Sequence, residues 1–186
     1  MPILAKETDL FPNDLLDRTA DSWDEQQWWA VYTRSRREKQ LMRQLEVMGV
    51  GYYGPTVPHR YRSPAGHVRT SHVPLFANYV FVFGDEAARY KALTTNCVSR
   101  WFPVPDRQRL TDDLRQIRDL ITVGEPLTPE ARLSDGSRVR VLSGSFRGFE
   151  GVILRRQNET WLLVAVDFMQ QGASVLLDAC QLEPLG

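Results

Sequence analysis

Pro74-Leu75-Phe76-Ala77-Asn78-Tyr79-Val80-Phe81-Val82-Phe83 is the stretch on which the fold reading turns. At period two, Tyr79, Phe81 and Phe83 fall on one face of a strand and Val80 and Val82 on the other. Both faces are apolar. Such a strand must be covered twice, either by its own domain on both sides or by its own domain on one side and a partner on the other.

Upstream of this strand, Ser63-Pro64-Ala65-Gly66 has turn chemistry, and its arms, His59 to Arg62 and His67 to Ser71, predict a hairpin projecting from the sheet. Gly51 to Pro58 reads as an irregular strand. Before it, Leu41, Leu45 and Met48 repeat at helical spacing from about Arg36, with Met42 widening the stripe and Gly49 as a C-terminal stop. Trp28 to Thr33 is aromatic and branched, a buried strand. Residues 1–26 carry seven acidic side chains, Glu7, Asp9, Asp14, Asp17, Asp21, Asp24 and Glu25, against Lys6 and Arg18. They show no period, and an acidic tail without order is expected there.

Downstream, Asp85 suits the N-cap of a short helix with Tyr90 and Leu93 three apart, and Val98 to Val104 resumes an extended chain. Thr111 is the expected cap of a third helix, in which Leu114, Ile117 and Ile121 recur beside Leu120. The order strand, helix, strand, strand, helix, strand, helix predicts an α+β domain over 27–121, an antiparallel sheet with flanking helices close to the ferredoxin-like order. Residues 122–135, with two prolines, a glycine and no period, read as a flexible linker. After it come short strands with glycine turns, around Val139, Val152, Trp161 to Val166 and Ala173 to Leu177. They predict a small barrel over 136–186, whose closure removes exposed edges.

Composition excludes several classes. The 186 residues are 42% hydrophobic and 25% charged, an ordinary globular balance. Two cysteines, Cys97 and Cys180, make no disulfide framework, which fits a reducing, cytoplasmic setting. The N-terminus lacks the pattern of a signal peptide, and no run approaches a membrane span. The zero formal net charge conceals an asymmetry: over 34–69, eight bases (Arg34, Arg36, Arg37, Lys39, Arg43, Arg60, Arg62, Arg69) face only Glu38 and Glu46. A clustered basic surface attracts polyanions, although a solvated helix face plus a charged hairpin explains the same residues. No nucleophile elbow, phosphate loop or dinucleotide fingerprint occurs, and neither the cysteines nor His59, His67 and His72 have zinc-site spacing. Asp112 and Asp113 pair at an expected helix start, where they favour the dipole. Neither an enzyme nor a cofactor nor a metal is expected.

Val139-Arg140-Val141-Leu142-Ser143-Gly144-Ser145-Phe146-Arg147-Gly148-Phe149-Glu150-Gly151-Val152 resembles a KOW motif, its glycines allowing tight turns and close backbone approach and Phe146 plugging an SH3-like barrel. With the Trp28 to Thr33 strand, the basic helix and the aromatic strand before it, the chain over 28–186 resembles the NusG family of transcription elongation factors, an NGN domain followed by a KOW domain. Pro74-Leu75-Phe76-x-Asn78-Tyr79-x-Phe81-Val82 looks closer to the specialised RfaH-type paralogues than to the housekeeping member, where Phe-Phe-Pro-Gly-Tyr is usual.

The resemblance implies an antitermination factor that docks on the clamp helices of RNA polymerase and contacts the opposing gate loop. Leu75, Phe76, Tyr79 and Phe81 match the positions of the apolar docking cavity. Arg34, Arg36, Arg37 and Lys39 lie where such paralogues contact the non-template DNA strand, and Phe149 and Phe168 match the hydrophobic positions at which the KOW domain receives a small-subunit ribosomal protein or Rho. Phe168-Met169-Gln170-Gln171-Gly172 departs from the usual Phe-Gly-Arg sequence. Trp28 and Trp29 are read as core, with base stacking as the alternative. The C-terminal segment, with Trp161, Val164 and Val166, fits strands rather than the helical hairpin that RfaH also forms. A monomer away from membranes is expected. The competing reading is a KOW-containing RNA-binding or ribosome-associated structural protein that never meets polymerase.

Overall fold

The structure, a computed structural model, describes residues 6–18 and 24–186. It is α+β, with antiparallel sheets and three helices, and divides into two units, Met1–Arg107 and Gln108–Gly186.

The first unit is built on a five-stranded sheet of order β1-β3-β6-β2-β7: β1 (Leu10–Phe11), β2 (Gln27–Thr33), β3 (Gly51–Tyr53), β6 (Tyr79–Gly84) and β7 (Val98–Pro103). The aromatic strand is β6, and it occupies the centre. Its register pairs Trp28 with Phe83, Ala30 with Phe81 and Tyr32 with Tyr79, so the alternation read from the sequence sorts the two strands onto common faces. One face, with Trp29, Val31, Tyr52, Val80 and Val82, packs with Leu41, Met42 and Leu45 of α1 (Glu38–Val47) and Ala92 of α2 (Glu86–Thr94). On the other face Trp28, Ala30, Tyr53, Phe81 and Phe83 are buried as well. The strand is thus covered twice within the chain.

Local chemistry sets the helix ends. Asp85 caps α2, its carboxylate accepting from the Ala88 amide at 2.8 Å. α1 stops at Gly49, whose φ of +68° is the left-handed conformation that glycine adopts without a Cβ clash. The hairpin is a separate two-stranded sheet of β4 (Thr56–Arg62) and β5 (Val68–Pro74).

The unordered acidic tail expected over 1–26 is not what the structure places at Lys6–Arg18. There β1 pairs with β3, Leu15 and Leu16 of a 3-10 turn are fully covered, and the Asp9 carboxylate accepts from Thr56 Oγ1 at 2.8 Å. The acidic groups are counter-charges: Glu7 pairs with Arg43 at 2.9 Å. Two leucines among acids carried too weak a pattern to announce this. Asp21 of the expected tail lies outside the described residues.

The second unit holds α3 (Arg107–Val123, from Gln108 on) and a six-stranded antiparallel sheet of order β13-β9-β10-β11-β12-β8. The strands are β8 (Leu127–Glu130), β9 (Arg138–Val141), β10 (Glu150–Arg156), β11 (Glu159–Val166), β12 (Gln171–Leu177) and β13 (Leu182–Pro184). Three expectations shift here. The 122–135 segment is not a plain linker, because β8 adds to the edge of β12 from Val175 to Gly172 and is fastened by Arg156 and Ser174 on Glu130, at 2.9 and 2.5 Å. The sheet is not a closed barrel: among the described residues no ladder joins β13 to β8, and β8 occupies the edge of β12 that closure needs. Thr111 does not cap α3. The helix already starts at Arg107, after Pro105-Asp106, and Thr111 is buried inside it.

The glycine-rich turn behaves as its composition requires. Gly148 sits at φ +91°, and a Cβ on Gly151 would lie 2.3 Å from the Leu163 carbonyl oxygen, so β10 and β11 approach only because no side chain intervenes. Phe146 is buried, edge-on to Phe149 with ring centres 6.2 Å apart.

Candidate interaction surface

Where β2 ends and α1 begins, the chain makes a turn of four consecutive exposed residues, Arg34-Ser35-Arg36-Arg37, with Arg36 in the left-handed region at φ +59°. The turn is anchored to the aromatic strand from two directions. The Thr33 amide donates to the Asn78 carbonyl at 2.7 Å, and the Asn78 amide donates to the Glu38 carboxylate at 2.8 Å. Glu38 is buried although polar, which its hydrogen bond to the loop makes tolerable. Asn78, at φ +65°, suits a left-handed turn better than a bulkier residue. The basic turn and the start of β6 therefore hold one fixed relation.

Beside this junction the rings of Tyr32 and Tyr79 meet edge to face with centres 5.2 Å apart, both half-buried, and Asn78 Nδ2 donates to the Tyr32 hydroxyl at 3.5 Å. Burial, and then the neighbouring Tyr32 phenol, push the Tyr79 phenol above its ordinary range, which favours its neutral hydroxyl. Exposed Arg100 of β7 stands opposite Tyr32 in the β2–β7 ladder, which is irregular between Tyr32 and Thr33. Paired tyrosines with apolar rings and polar tips, flanked by cations, form the kind of surface that binds a protein helix or a polyanion.

The residues expected at the site divide. Leu75, Phe76 and Phe81 are brought together, with Phe76 edge-on to Phe81 at 6.4 Å, but they are at most 2% exposed and belong to the packed interior. Of the docking set only Tyr79 reaches the surface. Arg34, Arg36 and Arg37 are exposed and Lys39 half-buried, with Arg37 hydrogen-bonded to Gln40. Trp28 and Trp29 are core: Trp28 lies against Phe83, and Trp29 lies edge-on to Trp101 beneath the Arg89 guanidinium. No stacking face is left on them. Sequence reading passed over Tyr32, Glu38, Asn78 and Arg100. Alternation from Trp28 does put Tyr32 on the ring face, whereas Glu38 and Arg100 carry no local signal.

In the second unit, Phe168 stands 37% exposed on the 3-10 turn Asp167–Met169, and Phe149 is half-buried against Phe146. α3 holds the start of that turn. The Asp113 carboxylate accepts from the Asp167 amide at 3.0 Å, Arg109 pairs with both Asp113 and Asp167, and Gln116 accepts from the Glu150 amide at 3.0 Å. Burial, partly offset by the Asp167 amide, raises the Asp113 carboxyl to about 6. Asp113 is thus a buried anchor of this unit in addition to any effect on the helix dipole.

The first unit is thus an α+β domain whose central sheet presents tyrosines and arginines at one corner. The family model for "Transcription termination factor nusG" matches residues 26–125, more than half of the chain, and the chain belongs to the NusG family. Its members are transcription elongation and termination factors that interact with RNA polymerase, and they are not enzymes. A search of curated proteins found no match. Among the described residues no helix is long and apolar enough to cross a membrane.

Proposed function

We propose that this chain is a specialised, RfaH-like elongation and antitermination factor that acts as a monomer in the cytoplasm, bridging the clamp helices and gate loop of RNA polymerase to raise processivity and suppress pausing. The observation that carries the reading is the Glu38–Asn78 bond, which fixes the basic turn beside the tyrosine pair. Tyr79, with Tyr32, makes first contact with a clamp helix. Leu75, Phe76 and Phe81 form the apolar floor beneath it and take part directly only if the docked helix opens that floor. Arg34, Arg36, Arg37 and Lys39 face the non-template strand, where their charge acts without base specificity.

Such a factor works by differential affinity. It binds the closed-clamp polymerase more tightly than paused states, and the population shifts by that difference alone. No covalent step is involved. The C-terminal unit, read as a KOW domain, recruits a small-subunit ribosomal protein or Rho through Phe168 and Phe149.

Capture of purified core polymerase by the full-length chain tests the reading. Tyr32→Ala with Tyr79→Ala is expected to weaken capture about 10-fold or more, the scale of an interface hot spot, with the melting midpoint little changed. Capture equal to wild type sinks the proposal. Retained ribosome or RNA binding without polymerase capture points to the ribosome-associated alternative.

A further inference from the structure

β8 is a poor match to the edge it covers. It pairs with β12 from Val175 to Gly172, whereas β12 runs from Gln171 to Leu177, and Leu176, beyond the reach of β8, is 40% exposed. Pro129, opposite Ala173, has no amide to donate, and Pro126 stands directly before the strand. Thr128 and Pro129 are exposed and Leu127 and Glu130 half-buried, so β8 buries little of itself. Beneath it Gly172, Ala173, Ser174 and Val175 are all buried. A covered stretch of β12 thus depends on a strand with few contacts of its own to keep it in place.

One side chain fastens β8. The Glu130 carboxylate, 16% exposed, accepts from Arg156 Nη1 at 2.9 Å and from the Ser174 hydroxyl at 2.5 Å. Burial acts to raise its pKa, and the Arg156 and Ser174 hydrogen bonds outweigh burial, holding the carboxyl below its ordinary range. Ser174 is fully buried, so its hydroxyl needs that acceptor once water is excluded. The Arg156 guanidinium is steadied by Trp161, whose ring centre lies 5.8 Å away. Arg156 belongs to β10 and Ser174 to β12, so the receptor for the carboxylate is built by the sheet and not by its occupant.

Alternation adds a second requirement. Leu127 falls on the face opposite to Glu130, across from buried Val175. The edge therefore accepts an extended backbone that carries an apolar side chain and, three residues on, a carboxylate. A segment with those two groups and no proline can pair along all seven residues of β12, where β8 pairs along four.

We propose that the β12 edge is a docking site for an extended acidic segment of another protein, which adds to the sheet by displacing β8. β8 is the built-in occupant that keeps the edge closed until such a segment arrives. A second copy of this chain is the poorer occupant, because exchanging β8 between copies replaces each contact by its equal and adds no register pair. The site uses neither Phe149 nor Phe168 and does not require the polymerase reading.

Fluorescence anisotropy of a labelled peptide of residues 124–131 carrying Pro126→Thr and Pro129→Val, titrated with the full-length chain, tests this. Thr128→Pro/Glu130→Ala in the chain frees the edge. A tethered strand acts at roughly millimolar effective concentration, so the wild type should bind the peptide about 10-fold or more weakly than this variant. Glu130→Gln in the peptide, or Arg156→Ala added to the variant, should weaken binding about 10-fold, the scale of a hydrogen bond to a charged group, whereas Glu125→Gln in the peptide should not. Hydrogen exchange of the wild type checks the same point without a variant: β12 amides that face β8 should exchange about 10-fold or more faster than those that face β11. The proposal is overturned by absence of peptide binding to the folded variant, by equal losses from the Glu125 and Glu130 changes, by equal protection of the two sets of amides, or by a dimer that excludes the peptide. Polymerase capture by the variant should equal that of the wild type, so the two readings fail separately.

Discussion

β6 and the β4–β5 ribbon are consecutive in the chain and take opposite places in the molecule. β6 is aromatic and branched, the shape of a docking surface when read alone, and it is the most completely covered strand of its sheet, with Val80, Phe81 and Val82 at 0% exposure. The ribbon is polar and basic, and nothing among the described residues covers its outer half. Apolar area is what the chain buries first, at about 25 cal/mol per Å² removed from water. What remains for partners is what the fold had no reason to hide. Function in this unit is therefore to be sought at the end of β6, where Tyr79 emerges, and on the ribbon, rather than along the strand that dominates the sequence.

The contrast can be broken at its strongest point by Phe81→Ala. Removing a fully buried ring costs about 3–5 kcal/mol of stability, read by urea unfolding of the full chain. A loss below about 1 kcal/mol would mean that Phe81 is not core and that the docking face is open after all.

A buried polar group in the other unit sharpens it next. Asp113 is covered as β6 is, but it ionises. Its folded pKa of about 6 lies above the ordinary 3.8, so its contribution to stability is fully present below about pH 4 and is lost as pH rises through about 6. The difference amounts to up to about 3 kcal/mol. Unfolding measured at pH 4 and pH 7 should show this fall in the wild type, and Asp113→Asn should lack it. Parallel pH profiles would contradict the assignment.

The smallest effect is expected where the two kinds of surface join. Glu38→Gln keeps an acceptor for the Asn78 amide and should cost no more than about 1 kcal/mol, whereas Glu38→Ala, leaving that amide unpaired, should cost more, up to about 3. Equal losses in the two variants, measured by thermal unfolding, would show that the charge and not the hydrogen bond holds the turn.

Much of this architecture was legible. The aromatic and branched run Trp28 to Thr33, period two in Tyr79 to Phe83, period 3.6 in Leu41 to Leu45 and Leu114 to Ile117, the Asp85 cap, the Ser63 to Gly66 turn and the glycines of the 144–151 segment each act within a few residues, and each is found where the sequence puts it. The family resemblance likewise rested on local residues. What failed was non-local. Leu15 and Leu16 look like strays in an acidic segment until β1 pairs with β3, and Leu127 to Glu130 looks like linker until it adds to β12. A two- or four-residue strand has almost no pattern of its own and exists only because a partner edge offers it hydrogen bonds.

The candidate site divides in the same way. The basic turn and the aromatic strand were visible as separate features, and so was the need to cover the strand twice. That both coverings lie within this chain, that Glu38 and Asn78 tie the turn to the strand, and that Tyr32 rather than Phe81 stands beside Tyr79 at the surface were decided by tertiary structure. The sequence determines which residues are apolar and with what period, because these depend on neighbours along the chain. Which apolar face stays open and which charge goes unpaired depend on what other segments bring to the same place.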